Sequence, residues 1–158
     1  MTLRIVIMGV AGCGNTAVGE ALATRLNIPY RDGDDLHSAT NVAKMRAGTS
    51  LTDADRWPWL DAVAATLRDD APVIVGCSAL KRSYRDRIRT AGRVLFIHLS
   101  GSHDLIAARM AQRTGHYMPL TLLDSQFAAL EPPGPDEATT VAIDQPLAAI
   151  IDQIAATL

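Results

Sequence analysis

Residues 9–16 read Gly9-Val10-Ala11-Gly12-Cys13-Gly14-Asn15-Thr16, a glycine-rich stretch of the kind that cradles phosphate groups. The glycine spacing and the final hydroxyl match the pattern G-x-x-x-x-G-K-[ST], but Asn15 stands at the position of the lysine. The main-chain amides of such a loop can still bind phosphate, whereas the positive charge that normally follows the phosphates is missing. The sequence therefore predicts a nucleotide site and raises a doubt about turnover.

The segments on either side of the loop favour this interpretation. An apolar run of strand length, residues 4–8, precedes the loop, and Val18, Leu22 and Leu26 follow it at helical spacing. The N-terminus of a helix stabilises anionic phosphate through its unpaired N–H groups. Thr16 would place a hydroxyl near a Mg²⁺ ion that bridges the phosphates. The simpler alternative is an ordinary glycine turn between a strand and a helix.

Composition limits the class of protein. The chain has 158 residues, with 15 basic and 17 acidic side chains and a formal net charge of −2, which argues against a general nucleic-acid-binding protein. No apolar run approaches the roughly 20 residues of a membrane span. The two cysteines, Cys13 and Cys77, are too few for a disulfide framework and indicate a reducing compartment. We therefore expect a cytoplasmic protein with one domain over residues 1–158 and neither nucleic acid nor membrane as a partner.

Apolar periodicity alternates between strand and helix along the chain. Strands are predicted near residues 3–8, 29–31, 73–77, 93–99 and 139–143. Helices are predicted near residues 15–26, 35–47, 53–69, 80–91, 103–113, 119–130 and 146–157. Thr52 and Asp55 resemble a capping box, but Pro58 lies so far inside the third helix that this helix is expected to start or kink there. The alternation predicts an α/β fold in which helices cover both faces of a parallel sheet.

Three carboxylates follow the second predicted strand in the turn Asp32-Gly33-Asp34-Asp35. Side chains at the carboxyl end of a parallel strand point into the crevice where ligands bind. Asp34 could therefore orient or deprotonate a substrate hydroxyl, although Asp34 or Asp35 could instead only cap the next helix. On that helix His37, Asn41 and Lys44 share a polar face, which becomes a candidate substrate wall because it begins beside Asp34.

A row of cations follows the third predicted strand. Lys81, Arg85 and Arg89 share one face of the helix that begins there, and such a row suits an anionic substrate. The alternative is a basic surface face that pairs with Asp86 or with other acids.

A second basic pair precedes a candidate lid. Arg109 and Arg113 lie four residues apart on a helix that leads into a loop around Gly115, and we predict a lid segment near residues 110–120. An arginine that a closing lid brings over a transferring phosphate contributes on the order of 10³–10⁵ in rate. Surface arginines without such a role are the commoner case on helices.

Together these segments resemble the gluconate kinases (gluconokinases) of the nucleoside-monophosphate-kinase-like P-loop group. The resemblance covers nearly the whole chain, and its most specific blocks are Cys77-Ser78-Ala79-Leu80-Lys81 and Tyr84-Arg85-Asp86. Further blocks at the family's spacing are residues 8–10, 32–34, 36–37, 41, 44–45, 48, 51, 53, 55–56, 58–60, 109, 113, 116, 122–123, 125–127, 130–131 and 136–137.

This resemblance implies phosphorylation of D-gluconate by ATP at the 6-hydroxyl, giving 6-phosphogluconate and ADP. It also implies a three-layer α/β/α P-loop NTPase fold with a five-stranded parallel sheet, a lid, Mg²⁺ at Thr16 and commonly a homodimer. By the same resemblance, residues 9–16 hold the phosphates, Asp34 meets the sugar hydroxyl, and Arg109 and Arg113 lie on the ATP and lid side. The candidates for the sugar-acid site are His37, Lys44, Arg56, Lys81 and Arg85, and the candidate catalytic residues are Asp34, Lys81 and Arg113.

Asn15 is the departure from the family, whose members carry lysine at this position. Asparagine is shorter and uncharged, and removal of one preorganised donor typically costs roughly 10²–10³ in rate. Asn15 could be an engineered substitution, or a natural residue for which Lys81 or an arginine compensates. The chain could also bind nucleotide or sugar acid without turnover, or could be a kinase of the shikimate type. A plain α/β domain without a ligand is the remaining alternative.

Overall fold

Five parallel strands form the centre of the computed structural model, which describes residues 2–112 and 120–158. They are β1 (Arg4–Met8), β2 (Tyr30–Asp32), β3 (Val73–Gly76), β4 (Leu95–Ser100) and β5 (Ala138–Ala142). The strands pair in the order β2-β3-β1-β4-β5, and every neighbouring pair is parallel. Each predicted strand is therefore confirmed, with ends that differ by a few residues.

Helices connect the strands and pack against the sheet and one another. Within the described ranges they are α1 (Asn15–Leu26), α2 (Ala39–Arg46), α3 (Asp53–Asp69), α4 (Arg82–Ile88), α5 (His103–Ala111), α6 (Leu120–Ala129) and α7 (Leu147–Ala155). α1 contacts α7, α3 contacts α4, and α5 contacts α6. This arrangement confirms the predicted three-layer α/β/α fold. None of these helices has the length and apolar character needed to cross a membrane.

The position of β1 decides where a ligand can bind. Ile5, Val6, Ile7 and Met8 have no exposed surface, because a central parallel strand is covered on both faces and therefore reads as a continuous apolar run. β1 pairs with β3 on one side and with β4 on the other. The chain order reverses at this point, and the crevice beyond the carboxyl end of such a strand is the usual ligand site of an open α/β sheet.

Local capping explains where α2 and α3 begin. Instead of one helix over 35–47, a short 3₁₀ turn (Gly33–Leu36) precedes α2, because the Ser38 side chain accepts a hydrogen bond from the Asn41 amide and starts a new helix there. α3 spans Asp53–Asp69, which confirms the helix predicted near residues 53–69; Pro58 lies inside it, so the alternative of a start at the proline is wrong. Thr52 and Asp55 form the predicted capping box, which fixes the earlier start.

Candidate active site

A cavity of about 800 Å³ opens beyond the carboxyl ends of β1, β2 and β3. Its described lining comes from the loop after β1, the turn after β2, the end of α2, the start of α3, the end of β3, and the facing sides of α5 and α6. The sequence elements that carry the predicted phosphate and hydroxyl contacts therefore share one cavity. This volume is ample for a small substrate beside a phosphate chain.

The loop over residues 9–16 adopts a conformation that needs its glycines. Gly12 has φ +81°, and a Cβ atom there would lie 2.7 Å from Cγ of Met110. Gly14 has φ +99° and precedes α1 as its N-cap. Positive φ is costly for residues that carry a side chain, so glycine is favoured at both positions. The first turn of α1 contains no acidic residue that would repel an anion. The loop is thus shaped to present main-chain amides to phosphate.

The Asn15 side chain is held by its own loop. Its Oδ1 atom accepts a hydrogen bond from Sγ of Cys13 at 2.8 Å. Burial raises the pKa of the Cys13 thiol to about 12, so this thiol remains a protonated donor at neutral pH. Asn15 therefore interacts with a neutral group inside the loop and brings no charge to the cavity.

The turn after β2 frees the Asp34 carboxylate from a capping role. The Asp32 side chain accepts from the Asp34 amide at 2.9 Å, and the next helix is capped by Ser38. Asp34 is left facing the cavity. Desolvation by the surrounding protein raises the pKa of Asp34, and the nearby carboxylates of Asp32 and Asp35 raise it further. A raised pKa increases the proton affinity of the carboxylate, which suits a base that accepts a proton from a hydroxyl.

An aromatic stack forms the wall beside Asp34. The ring of His37 lies on the indole of Trp59 with centroids 4.0 Å apart, and Trp59 Nε1 donates to the Gly33 carbonyl at 2.8 Å. Burial lowers the pKa of His37 to about 4, and the charge of Arg56 contributes in the same direction. His37 is therefore neutral at pH 7 and can offer a hydrogen bond to a substrate, but not a positive charge.

We predict that His37 titrates near pH 4 instead of near its ordinary value of 6.5. Because the folded-state pKa is depressed, the corresponding stability is present above pH 6.5 and is lost as the pH falls through about 4. Ring-proton NMR of the wild-type protein, with a Gln substitution at His37 to assign the signal, measures this pKa. A midpoint near 6.5 would show that the stack does not desolvate the imidazole.

Arg56 reaches the cavity from α3 and is oriented by two acceptors. Its Nη1 atom donates to the Leu51 carbonyl at 2.6 Å and to the Tyr84 hydroxyl at 3.1 Å. The Tyr84 hydroxyl in turn donates to Asp53, which also pairs with Lys81 at 3.2 Å. These contacts hold the guanidinium at the cavity wall, where it can meet an anionic group of a substrate.

Both lysines of the chain lie outside the described lining of the cavity. Lys44 contacts both carboxylate oxygens of Asp55, at 2.9 and 3.0 Å, and Lys81 contacts Asp53. The structure thus places the two predicted lysine ligands in ion pairs beside the site.

The comparisons with known proteins agree with this geometry. A family model described as shikimate kinase matches residues 11–131. Thermosensitive gluconokinase of Escherichia coli (strain K12) is 44% identical over 144 residues, which cover 88% of this chain and 77% of that protein. Gluconokinase of Gluconobacter oxydans (strain 621H) is 46% identical over 138 residues, covering 84% and 78%. The crystal structure of a gluconokinase from Sinorhizobium meliloti 1021 has a TM-score of 0.91 at 46% identity, covering 98% of this chain and 90% of that one.

The chain belongs to the gluconokinase family. The predicted resemblance is therefore confirmed, and with it the class of ATP-dependent kinase and the P-loop kinase fold.

Arg85 occupies a structural position in this gluconokinase-family chain. It is 1% exposed and pairs with Glu137 through Nε at 2.6 Å, and its other nitrogens donate to the carbonyls of Ala79, Leu80 and Glu131. This burial contradicts the prediction that Arg85 contacts the sugar acid. The middle of the predicted cation row therefore points inward, where the Glu137 carboxylate and these carbonyls accept its hydrogen bonds.

Arg89 also departs from the predicted row. It pairs with Asp86 at 2.7 Å and with Glu137 at 2.6 Å, so the alternative of a basic face paired with acids holds for this residue. The row of three cations therefore does not form an open anion-binding surface.

Arg109 lines the cavity from α5, where its Nη2 atom donates to the Ile143 carbonyl at 2.7 Å. Its predicted partner Arg113 lies outside the described residues, as do Gly115 and most of the predicted lid segment near 110–120. The placement of Arg109 beside the phosphate-binding loop agrees with a role on the nucleotide side.

Several polar residues line the cavity without having been assigned a role from the sequence, among them Arg46 and Gln126. Arg46 lies at the end of α2, two residues after Lys44. The helical periodicity does not show which of these two cations faces the cavity. Gln126, on α6, accepts a hydrogen bond from the Ala11 amide at 2.6 Å. Gln126 belongs to one of the blocks that carried the family resemblance, and this was the only signal that could have pointed to it.

Proposed function

We propose that the protein is a gluconokinase that transfers the terminal phosphoryl group of ATP to the 6-hydroxyl of D-gluconate. The observation that carries this proposal is the single cavity in which the phosphate-binding loop faces Asp34 and Arg56, in a chain 44–46% identical to gluconokinases. The loop amides supply donors for the phosphate chain. Asp34 supplies a base for the hydroxyl, and Arg56 supplies a cation for the carboxylate of the sugar acid.

The transfer follows from these positions. The substrate hydroxyl oxygen forms a bond to the terminal phosphorus while the bond from that phosphorus to the bridging oxygen breaks, and ADP leaves. The hydroxyl proton passes to Asp34, whose raised pKa favours its acceptance. Main-chain amides at the start of α1 and the guanidinium of Arg109 face the charge that develops on the phosphate oxygens. Catalysis by these residues is mainly positioning and electrostatic stabilisation.

Mg²⁺ fits the oxygen donors of this cavity. Thr16, Asp32 and Asp34 all line it, and Mg²⁺ prefers such hard oxygen ligands, of which a nucleotide site provides one or two beside the phosphates and water. When bound, the ion would neutralise phosphate charge and orient the terminal phosphoryl group. We propose Thr16 as its main protein ligand, because it stands where the hydroxyl of loops ending in Lys-Ser or Lys-Thr contacts the ion.

A nucleotide-binding protein without turnover is the second candidate, and Asn15 alone favours it. The other features of a kinase site remain: the loop glycines, Asp34, Arg56 and Arg109. A protein that had lost its reaction would be free to lose several of these, so we favour an active enzyme whose rate is reduced by the missing charge.

A coupled assay of ADP release, run with D-gluconate, shikimate and related acids in the presence of Mg²⁺, tests the proposal. We expect D-gluconate to be the preferred acceptor, with phosphate on the 6-hydroxyl. Preference for shikimate would move the chain to the shikimate kinases. If the protein binds ATP but phosphorylates none of the acids, this would support the second candidate. Failure to bind any nucleotide would contradict both candidates.

For the organisation of the protein we propose one domain with a lid near residues 110–120, a homodimeric assembly and a cytoplasmic location. The family resemblance supports the lid and the dimer, and the buried free thiols of Cys13 and Cys77 are compatible with a reducing compartment. Light scattering during gel filtration would give the mass in solution, and a monomer mass would contradict the homodimer.

A further inference from the structure

The side chain of Gln126 contacts the phosphate-binding loop from the opposite wall of the cavity. Its Oε1 atom accepts the Ala11 amide at 2.6 Å, across 115 residues of sequence. The mechanism proposed above makes no use of this contact. The loop needs a defined shape to bind phosphate, so a long-range hydrogen bond to its main chain deserves a functional explanation.

The loop amides divide into two groups. The Gly9 amide donates to the Ser78 carbonyl at 3.2 Å, the Cys13 amide donates to the Val10 carbonyl at 3.3 Å, and the Ala11 amide donates to Gln126. Within the described residues, the amides that donate to no protein acceptor are those of Val10, Gly12, Gly14, Asn15 and Thr16. The first group fixes the path of the loop, and the second group remains for a ligand.

Gln126 projects from a helix that is itself well anchored. Leu123 of α6 has no exposed surface, and the ring centroids of Phe127 and of His103 on α5 are 5.2 Å apart. Beyond the end of α6, the Glu131 amide donates to the Leu80 carbonyl at 2.8 Å, and the buried Arg85 donates to the Glu131 carbonyl. α6 is therefore anchored by its packed face, which includes Leu123 and Phe127, and by the hydrogen bonds just after its C-terminal end. It can thus hold the loop in one position.

We propose that Gln126 is a positioning residue for the phosphate-binding loop: it fixes the Ala11 segment so that the neighbouring amides converge on the phosphates. This inference rests on the proposed function, in which those amides bind ATP. It has particular weight in this chain because Asn15 brings no charge, so phosphate binding depends more on main-chain geometry. Amides that are already fixed in position lose less conformational entropy when they bind phosphate than mobile ones do, so they bind it more tightly.

The test compares Gln126→Met, which keeps the length of the side chain but removes the amide acceptor, with Asp124→Asn as the control. Asp124 lies on the same helix and contacts His103 at 2.6 Å, outside the described lining of the cavity. Calorimetry with ADP and magnesium chloride should show binding roughly three- to tenfold weaker in Gln126→Met, the range for one neutral hydrogen bond, and unchanged in Asp124→Asn. Unchanged or tighter ADP binding in Gln126→Met would overturn the proposal.

Amide hydrogen exchange without any ligand gives an independent measurement. In the wild type the Ala11 amide should be protected, and Gln126→Met should lose this protection while the Cys13 amide, which donates to Val10, keeps its own. An unprotected Ala11 amide in the wild type would also overturn the proposal, even if the variant fails to fold. A wild type that binds ADP but phosphorylates no gluconate would contradict the proposed function alone.

Discussion

Replacement of Asn15 by Lys should raise kcat for D-gluconate at least about tenfold, because one preorganised donor at a developing charge is worth roughly 10²–10³ in rate. Among the described residues, the Asn15 side chain forms a hydrogen bond only with the neutral thiol of Cys13, so the substitution removes one weak hydrogen bond and adds a flexible cation beside the phosphates. The coupled assay of ADP release, at saturating ATP and gluconate, measures the gain.

Two variants separate charge from other effects of this substitution. Asn15→Met has a similarly long side chain without charge and should give no gain. Adding Asp34→Asn to Asn15→Lys should abolish the gain, since the proton of the hydroxyl then has no carboxylate to accept it. If Asn15→Lys itself gives no increase, another group already supplies the charge, and Arg46 and Arg109 in the cavity lining would be the first to examine.

Replacement of Arg85 by Met should lower the free energy of unfolding by about 3–5 kcal/mol, the range for removal of one partner from a buried ion pair. Glu137 is 4% exposed at its side chain and, among the described residues, would keep only its ion pair with Arg89. The carbonyls of Ala79 and Leu80 would lose a donor as well. Urea unfolding at pH 7 measures the change.

The matched control is Arg87→Met, two residues away on α4. Arg87 pairs with Asp61 at 2.6 Å, but both side chains are about half exposed, and such pairs contribute about 0–1 kcal/mol. A second replacement, Glu137→Leu, in the Arg85→Met background should recover part of the loss, since no unpaired charge remains buried. Equal effects of Arg85→Met and Arg87→Met would contradict the structural role assigned to Arg85.

The Arg85 pair also gives a pH dependence. Burial alone would raise the pKa of Glu137, but hydrogen bonds from Arg85 and Arg89 outweigh it and lower the pKa to about 2. A depressed carboxyl pKa contributes stability that is present above the ordinary value of 4.5 and is lost as the pH falls towards 2. The stability difference between wild type and Arg85→Met should therefore shrink over this acidic range.

The fold could be predicted closely because local signals agree with one another. Several signals act within a few residues of one another and can therefore be recognised in the sequence. They are the apolar run of β1, the glycines after it, and the capping box of Thr52 and Asp55. The errors lie where a second local signal competes, as at Ser38, which divides one predicted helix from the turn before it. Pro58 removes one intrahelical hydrogen bond and crowds the carbonyl four residues earlier, but the capping box together with the burial of Trp59, Leu60 and Val63 keeps α3 helical from Asp53 onward.

The site could be predicted only in part. Asp34 and the loop line one cavity, as predicted, because both directly follow strands whose carboxyl ends meet at one edge of the sheet. Arg85 was misjudged because its partner Glu137 is 52 residues distant and the sequence does not show which acid a cation meets. The same limit applies to Gln126, because its partner is the main-chain amide of Ala11, a group that nearly every residue carries.

The absence of lysine from the described cavity lining has a practical consequence for labelling experiments. Reagents that carry an acyl group on the phosphates of ATP report kinases by acylating an amine beside the nucleotide. Here the ε-amino groups of Lys44 and Lys81 are engaged by carboxylates beside the site. Proteome-wide profiling with such amine-directed reagents should therefore overlook this kinase, and detection would require a probe that binds without acylation.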